Sequence, residues 1–322
     1  MNSQYRTPDQ TTCTPPAKNQ KNMQQILALT DFSTESVSVI KYAAALASHL
    51  KQQVLLLHVK SGLHQAAAIS LSSAYFAGNT AEHQKLKETG QQAQQNFRLF
   101  LQNFNDNELA HISGEYLTMN GKPAEVASKI CERMGQQLSF LLVPGAAHND
   151  PLLKIFGQDF SALMENCSLP VWVVPDGATF KPFDHLLYAT SHSETDVEVL
   201  GWLTGLAEHF RAQITALHVV PDQNGSGGET VNVHHFRNLL EDRLGDDSLM
   251  IDNAAVLGNR VSHSLAGYAE MSEADVIVLY KNETSMLDRL FNNGKQLKLQ
   301  KAARIPLLVF NKNVVSAHCQ AD

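Results

Sequence analysis

The sequence lacks the features of three common protein classes. It contains no run of roughly 18 apolar residues, so it predicts no membrane-spanning helix. Its net charge is −7 at pH 7, which argues against a general nucleic-acid binder because such proteins carry a basic face. Residues 1–23 lack the apolar segment of a secretory signal, and their polar, Pro- and Gln-rich composition predicts a disordered tail.

Cysteine is scarce and unpatterned. The four cysteines, Cys13, Cys131, Cys167 and Cys319, form neither a CxxC pair nor a Cys/His cluster at zinc spacing. We therefore expect no disulfide framework and no structural metal, and we expect Cys131 and Cys167 to be core residues on helices. This pattern favours the reducing cytoplasm. The sequence also lacks a GxSxG or HExxH motif, so no catalytic residue is predicted.

What the sequence does contain is a strand–loop–helix–strand pattern, clearest over residues 141–175. An apolar run ends at Pro144-Gly145, a polar loop follows, and an amphipathic stretch leads through Pro170 to a second apolar run at 171–174. This order is typical of the βαβ unit of a parallel sheet. Loops that open onto a helix N-terminus at the carboxyl end of such strands often bind phosphate.

The pattern occurs twice along the chain. His58 and His218 lie 160 positions apart, as do Ser33 and Ser193. The fold class is therefore predicted to be α/β, with two tandem open parallel sheets and helices on both faces of each. We expect domain 1 at 24–176, a linker at 177–183, domain 2 at 184–312 and a tail at 313–322. The small apolar segment 66–76 in domain 1 is open to three interpretations: a lid, a partner surface or a mobile loop.

Four short motifs follow or precede the predicted strands of the first repeat: Thr30-Asp31-Phe32-Ser33 after the first strand, Leu57-His58-Val59 on the second, Gly145 after the fourth, and Leu169-Pro170-Val171 before the fifth. Together they resemble the universal stress protein family. The resemblance extends over both repeats, as in a tandem member. It implies five parallel strands per domain in the order 3-2-1-4-5, an adenine-nucleotide-binding fold, and pairing of the two domains through their fifth strands. It leaves association into a homodimer open.

ATP-binding members of that family carry Gly-x2-Gly-x9-Gly-Ser/Thr after strand four. Glycines let backbone N–H groups approach the phosphates, and the helix N-terminus favours the anion. Here Asp31 and Val59 match the positions that hold adenosine, and Gly145 matches the first glycine. His148 replaces the second glycine, and Gly157 comes one residue early. The candidate cofactor site for ATP, formed by Asp31, Val59, Gly145 and Gly157, is therefore expected to be degenerate.

The second copy departs further from the motif. Ser191 replaces the aspartate and Lys281 the first glycine, whereas Val219 and Gly294 match. Lys281, Arg289 and Lys295 are interpreted as a solvated basic face, with anion binding through their side chains as the alternative. His58 and His218 are expected to be packed, hydrogen-bonded strand residues.

These observations favour a non-enzymatic regulatory or protective protein of the stress response. Two alternatives stay open. The first is an ATP-binding switch in domain 1, with or without slow hydrolysis. The second is an adaptor that binds an unidentified protein partner through 66–76.

Overall fold

A computed structural model describes most of the chain. The described residues are 24–32, 34–60, 95–145, 163, 166–175, 177–220, 227–245, 251–257, 261–281 and 305–319. The predicted tail at 1–23 and the apolar segment 66–76 lie outside them.

Ten strands form one continuous sheet. They are β1 (Gln25–Thr30), β2 (Gln53–Lys60), β3 (Ile112–Asn120), β4 (Leu138–Pro144), β5 (Val171–Val174), β6 (His185–Ala189), β7 (Gln213–Val220), β8 (Ile251–Leu257), β9 (Val276–Lys281) and β10 (Leu307–Asn311). The helices are α1 (Thr34–Leu50), α2 (Asp106–Leu109), α3 (Pro123–Met134), α4 (Glu194–Phe210), α5 (Gly227–Leu244), α6 (Val261–Met271) and α7 (Lys312–Cys319), and residues 95–101 are also helical.

The strand order is β3-β2-β1-β4-β5-β10-β9-β6-β7-β8. Each half therefore runs 3-2-1-4-5 when its own strands are counted from its first. Neighbouring strands within a half are parallel. The predicted α/β class, with two parallel halves and helices, is confirmed.

The two halves meet at an antiparallel pair of strands. Leu307, Leu308 and Val309 of β10 pair with Val173, Trp172 and Val171 of β5. All six residues are buried. A short apolar strand left at a sheet edge would expose unpaired backbone groups, so this pairing protects both edges at once.

Apolar side chains cover both faces of the sheet. One buried cluster contains the even-numbered β1 residues Ile26 and Ala28, and the other contains Leu27 and Leu29. Both clusters run through both halves. This explains why strand sequences such as VLLLHV are continuously hydrophobic, since each strand is covered on both sides.

Trp172 is the aromatic centre of the junction. Its side chain is fully buried, and its ring stacks on Phe183 with centroids 5.4 Å apart. Phe140 and Tyr42 contact other parts of the indole, at centroid distances of 6.1 and 6.3 Å. The linker residue Phe183 thus packs against the strand through which the two halves pair.

Two polar contacts add to this junction. His209 Nε2 lies 2.8 Å from the carbonyl oxygen of His49, the residue at the equivalent position of the other repeat. In the linker, Lys181 forms an ion pair with Asp275, and that carboxylate also accepts hydrogen bonds from the backbone N–H groups of Asp184 and His185. These bonds help to hold the pKa of Asp275 below its usual value, whereas burial raises it.

The C-terminal residues differ from the prediction. The tail expected at 313–322 is wrong over its first part, because helix α7 begins at Lys312 and Val314 is buried in the core. The reason is local. The Asn311 side-chain oxygen accepts hydrogen bonds from the backbone N–H groups of Asn313 and Val314, which starts the helix directly after β10.

Replacing Trp172 with alanine is expected to destabilise the whole chain. Loss of a fully buried indole costs about 3–5 kcal/mol, because transfer energy is lost and a cavity remains. Urea unfolding followed by circular dichroism measures the change. Met271→Ala is the control, since that side chain is 75% exposed and its loss should shift the free energy of unfolding by less than about 0.5 kcal/mol. Equal effects of the two substitutions would contradict the junction's role.

Candidate functional site

Three of the four residues predicted for the nucleotide site lie at the ends of adjacent strands. Thr30 of β1 is in register with His58 of β2, and Ala28 is in register with Leu142 of β4. Continuing both registers to the end of β1 puts Asp31, Val59 and Gly145 level with one another. With neighbouring strands about 4.8 Å apart, these three positions span about 10 Å. They lie where the strand order reverses, the usual ligand crevice of an open α/β sheet.

These residues offer different surfaces to the crevice. Asp31 is exposed, and Val59 is half-buried against the cluster that contains Leu57 and Val143. Gly145 is buried. The fourth predicted residue, Gly157, lies outside the described residues, as does His148.

Gly145 has a structural reason to be glycine that involves no ligand. A Cβ atom at this position would lie 2.8 Å from the carbonyl oxygen of Val174 and 3.1 Å from the Cα of Pro175. The Gly145 N–H donates to that same carbonyl at 2.5 Å. The close approach of β4 and β5 therefore requires glycine here, and the glycine alone is no evidence for phosphate.

The residue after Asp31 packs into a cluster of aromatic rings. Phe32 adopts a left-handed backbone conformation, with φ of 61°, and its ring stacks on His58 at 4.6 Å. Phe97, Phe100 and Tyr116 surround the same ring. His58 Nδ1 lies 3.1 Å from the Thr30 carbonyl oxygen, so this histidine is packed and hydrogen-bonded, as the sequence predicts.

The second domain has the same framework with different chemistry. The registers of β6 with β7 and β9 put Ser191, Val219 and Lys281 at the positions of Asp31, Val59 and Gly145. Lys281 is only 4% exposed. The interpretation of Lys281 as part of a solvated basic face is therefore wrong, because every residue of β9, this lysine included, is buried. Arg289, Gly294 and Lys295 lie outside the described residues.

A buried carboxylate organises the loop after β6. Asp196 is 2% exposed, and its Oδ1 accepts a hydrogen bond of 2.5 Å from the Tyr188 hydroxyl. Its Oδ2 accepts from the Thr190 hydroxyl, from the N–H and hydroxyl of Ser191, and from the N–H of Ser193, at 2.9 to 3.1 Å. Burial and then the charge of Asp196 raise the pKa of Tyr188 far above its usual value, so Tyr188 remains a donor.

Sequence reasoning missed Asp196, although a signal was present. Ser193 and Asp196 form a reciprocal capping box at the start of α4, and a hydroxyl residue followed three positions later by an acid is the sequence sign of such a box. The equivalent residue in the first domain is Ser36, whose hydroxyl lies 2.9 Å from that of Thr30. The carboxylate of domain 1 is thus the exposed Asp31 after β1, whereas the carboxylate of domain 2 is the buried Asp196 in the helix cap.

The second domain replaces the Phe32–His58 stack with two histidines. His192, also left-handed with φ of 61°, stacks on His218 at a centroid distance of 4.4 Å and contacts Phe236. His218 Nδ1 lies 3.0 Å from the Thr190 carbonyl oxygen. Burial, followed by the charge of His218, lowers the pKa of His192 to about 4, although Asp196 opposes this change.

Two absences hold within the described residues. They contain no cluster of three or more His, Cys, Asp or Glu side chains that could hold a metal ion. No helix among them is long and apolar enough to cross a membrane.

Substitution of Asp196 is expected to destabilise the second domain. Asp196→Ala leaves five donor groups without their acceptor, which should cost about 3 kcal/mol. Ser36→Ala, at the equivalent position of the first domain, removes the hydroxyl that contacts Thr30 and should cost about 1 kcal/mol. Chemical denaturation of both variants at pH 7 tests the difference. A smaller loss for Asp196→Ala than for Ser36→Ala would refute the proposed role of the buried cap.

His192 is expected to make stability fall in mild acid. Its pKa is lower in the folded chain than the usual 6.5, so the unfolded chain binds the proton more readily between pH 6.5 and about 4. Stability from this group is complete above pH 6.5 and is lost as the pH falls through that window. After allowance for solvent screening, the loss by pH 4.5 is about 1 kcal/mol.

His192→Phe isolates this contribution, because phenylalanine already occupies the equivalent position 32 with the same backbone conformation. The measurement is the difference in unfolding free energy between pH 7 and pH 4.5 for the wild type and the variant. The variant should lose less stability than the wild type. An identical loss in both proteins would show that His192 is not responsible.

Comparisons with known proteins agree with this architecture. Residues 22–175 match the model of the universal stress protein family. A universal stress protein from Archaeoglobus fulgidus DSM 4304 has a similar solved structure, with a TM-score of 0.59 and 14% identity over 89% of this chain and 96% of that one. A protein of unknown function from Pseudomonas aeruginosa PAO1 gives a TM-score of 0.51 and 14% identity over 93% and 96% of the two chains. No curated protein sequence matches the chain.

The two structural likenesses extend over both halves of the sheet, and at 14% identity they show the fold. The family match covers the first half, where the Asp31, Val59 and Gly145 positions lie. The first half of the chain, residues 22–175, is therefore assigned to the universal stress protein family, and the second half repeats the same α/β fold.

Proposed function

We propose that this chain is a regulatory or protective protein of the stress response that works by binding and not by catalysis. In this proposal the nucleotide site of domain 1 is degenerate and domain 2 is structural. The observation that carries the proposal is the contrast between the two crevices. Asp31 is exposed at the first, whereas at the second Ser191 takes its place and the equivalent of Gly145 is the buried Lys281.

Domain 2 is assigned a structural role because polar groups at its crevice already form hydrogen bonds with one another. Tyr188 of β6 and the loop after it together donate five hydrogen bonds to Asp196, and Lys281 stands at the position of the first glycine. A ligand entering there would have to displace protein groups that already bond to one another. In this structural role, domain 2 supplies β10 as the strand that pairs with β5 of domain 1.

Domain 1 keeps the groups that would recognise a nucleoside. A carboxylate such as Asp31 accepts hydrogen bonds from ribose hydroxyls, and Val59 offers an apolar contact to a base. The phosphate end is less favourable. Gln158 follows Gly157 where the family has Ser or Thr, and Asp150 and Asp159 add negative charge to the same stretch of sequence.

The proposal excludes an enzymatic role and assigns the protein to the cytoplasm. Asp31, Val59 and Gly145 supply an acceptor, an apolar surface and a close strand contact, and no nucleophile–base pair can be formed from them. The free thiols Cys131 and Cys167 suit a reducing compartment.

An ATP-binding switch in domain 1 is the second candidate, and the exposure of Asp31 favours it. Two measurements on the full chain separate the candidates: quantification of nucleotide that copurifies with the protein, and the melting temperature with and without millimolar ATP and Mg²⁺. A degenerate site predicts nucleotide-free protein whose melting temperature does not change. Binding at 100 times Kd would add about 2.7 kcal/mol of stability and raise the melting temperature, which would establish the switch instead.

The same assay has a matched pair of variants. If ATP binds, Asp31→Ala should weaken it about tenfold or more, because a charge-assisted hydrogen bond is lost. Ser191→Ala, at the equivalent exposed position of domain 2, should leave the affinity unchanged. Equal effects from both substitutions would place the ligand elsewhere.

A further inference from the structure

Two cysteine thiols distant in sequence meet inside the first domain. Cys131 lies on α3, and Cys167 lies shortly before β5. Both side chains are fully buried and both are free thiols. The Cys167 thiol donates a hydrogen bond to the Cys131 sulfur at 3.2 Å, across 36 residues of sequence. An approach of about 1 Å would bring the two sulfur atoms to the length of a disulfide bond.

The backbones on both sides of this contact are anchored. The Cys167 carbonyl oxygen accepts a 2.8 Å hydrogen bond from the side-chain amide of Asn311, which is 3% exposed at the end of β10 in the other domain. Cys131 lies on the buried face of α3, together with Ala127 and Ile130. The thiols are therefore held together by the packing of the helix and by the contact between domains.

We propose that Cys131 and Cys167 form a redox-modification site, at which a hydroperoxide such as hydrogen peroxide converts the two thiols into an intramolecular disulfide. This inference does not depend on the nucleotide site and goes beyond the proposed binding function. Its basis is geometric: two reduced sulfur atoms in contact, with no solvent-exposed surface through which either could readily pair with another molecule.

The chemistry balances in two steps. One thiol loses its proton, and the thiolate attacks a peroxide oxygen. The O–O bond breaks, a sulfenic acid forms, and hydroxide leaves and takes up the released proton as water. The second sulfur then attacks the sulfenic sulfur, the S–S bond forms, the S–O bond breaks and a second water leaves. Overall, two thiols are oxidised to one disulfide, and one peroxide is reduced to two waters.

The surroundings predict a slow reaction at neutral pH. The hydrogen bond that the two thiols share, and then burial, raise the pKa of Cys131 well above its usual value. Because the thiolate is the reactive form, oxidation should accelerate as the pH rises above 8. A site of this kind would respond to sustained oxidant exposure and not to a brief pulse.

The disulfide would also change the mechanics of domain 1. It would close a covalent ring that runs from Cys131 on α3 through β4 to Cys167. The carbonyl oxygen of Cys167 accepts a hydrogen bond from Asn311 of the second domain. Cross-links of this loop length restrict the unfolded chain and raise the melting temperature, here by roughly 5 °C. Oxidation would thus stabilise the segment that joins the first domain to the junction strand.

The test uses the full-length protein carrying Cys13→Ser and Cys319→Ser, so that only the two buried cysteines remain, alongside the wild type. Both are incubated with hydrogen peroxide at pH 7 and pH 9 without denaturant, then unfolded, alkylated and mapped by mass spectrometry. The expected product is a Cys131–Cys167 peptide pair that has lost two hydrogen atoms, forms faster at pH 9 and is restored by dithiothreitol. Two alkylatable thiols after prolonged exposure, or only sulfinic acid, would overturn the proposal.

Single substitutions supply the controls. Cys131→Ala and Cys167→Ala should each abolish the cross-linked peptide and the rise in melting temperature. Non-reducing electrophoresis of the oxidised protein should show monomeric chains, and disulfide-linked dimers would contradict an internal bond. If the oxidised protein melts at a lower temperature than the reduced protein, the thiols do not lie in disulfide-compatible positions and the proposal fails.

Discussion

The antiparallel pairing of β5 with β10 is the constraint on which the rest of the structure depends. Each half alone would be a five-stranded open sheet with an apolar fifth strand at its edge, and such an edge is prone to aggregation. Pairing the two edges makes one sheet of ten strands and joins the apolar clusters on both faces across the halves. Trp172, on β5, packs against the linker residue Phe183 within that joined core.

The repeats keep the backbone of the crevice and exchange its chemistry. Positions 32 and 192 share a left-handed backbone, and each ring stacks on the histidine of the second strand in its own half. The carboxylate has changed place by five residues, from exposed Asp31 in one half to buried Asp196 in the other. This exchange converts an accessible acceptor into an internal cap, which is why the first half alone is assigned a binding role.

The contact between Cys131 and Cys167 depends on the junction between the two halves of the sheet. The carbonyl group of Cys167 is held by Asn311 from the second half, and that same asparagine starts the last helix. Disturbing β10 would therefore alter the thiol contact as well as the sheet. Chemistry inside the first domain is in this way tied to the presence of the second.

The sequence by itself determined the fold class, the twofold repeat and the positions of the strand ends. Strands can be recognised from continuous apolar runs, such as residues 54–57 and the run at 171–174 that follows Pro170, because these runs are local patterns. The repeat spacing of 160 shows which residues of the first strands and helices are equivalent. The resemblance to the universal stress protein family picked out Asp31, Val59 and Gly145, and the strand registers of the structure bring these three positions level with one another.

Only the tertiary structure decided what those residues do. Lys281 appears in the sequence as a surface cation, yet the face of β9 on which it lies is covered, so it is buried. Gly145 appears as a phosphate ligand, yet the Val174 carbonyl already requires a glycine there. The burial of Asp196 and the Cys131–Cys167 contact depend on how separate segments pack together, and the local capping-box pattern of Ser193 and Asp196 does not encode that burial. Burial and contact across the sheet, which arise only when all strands have assembled, set the chemistry of these side chains.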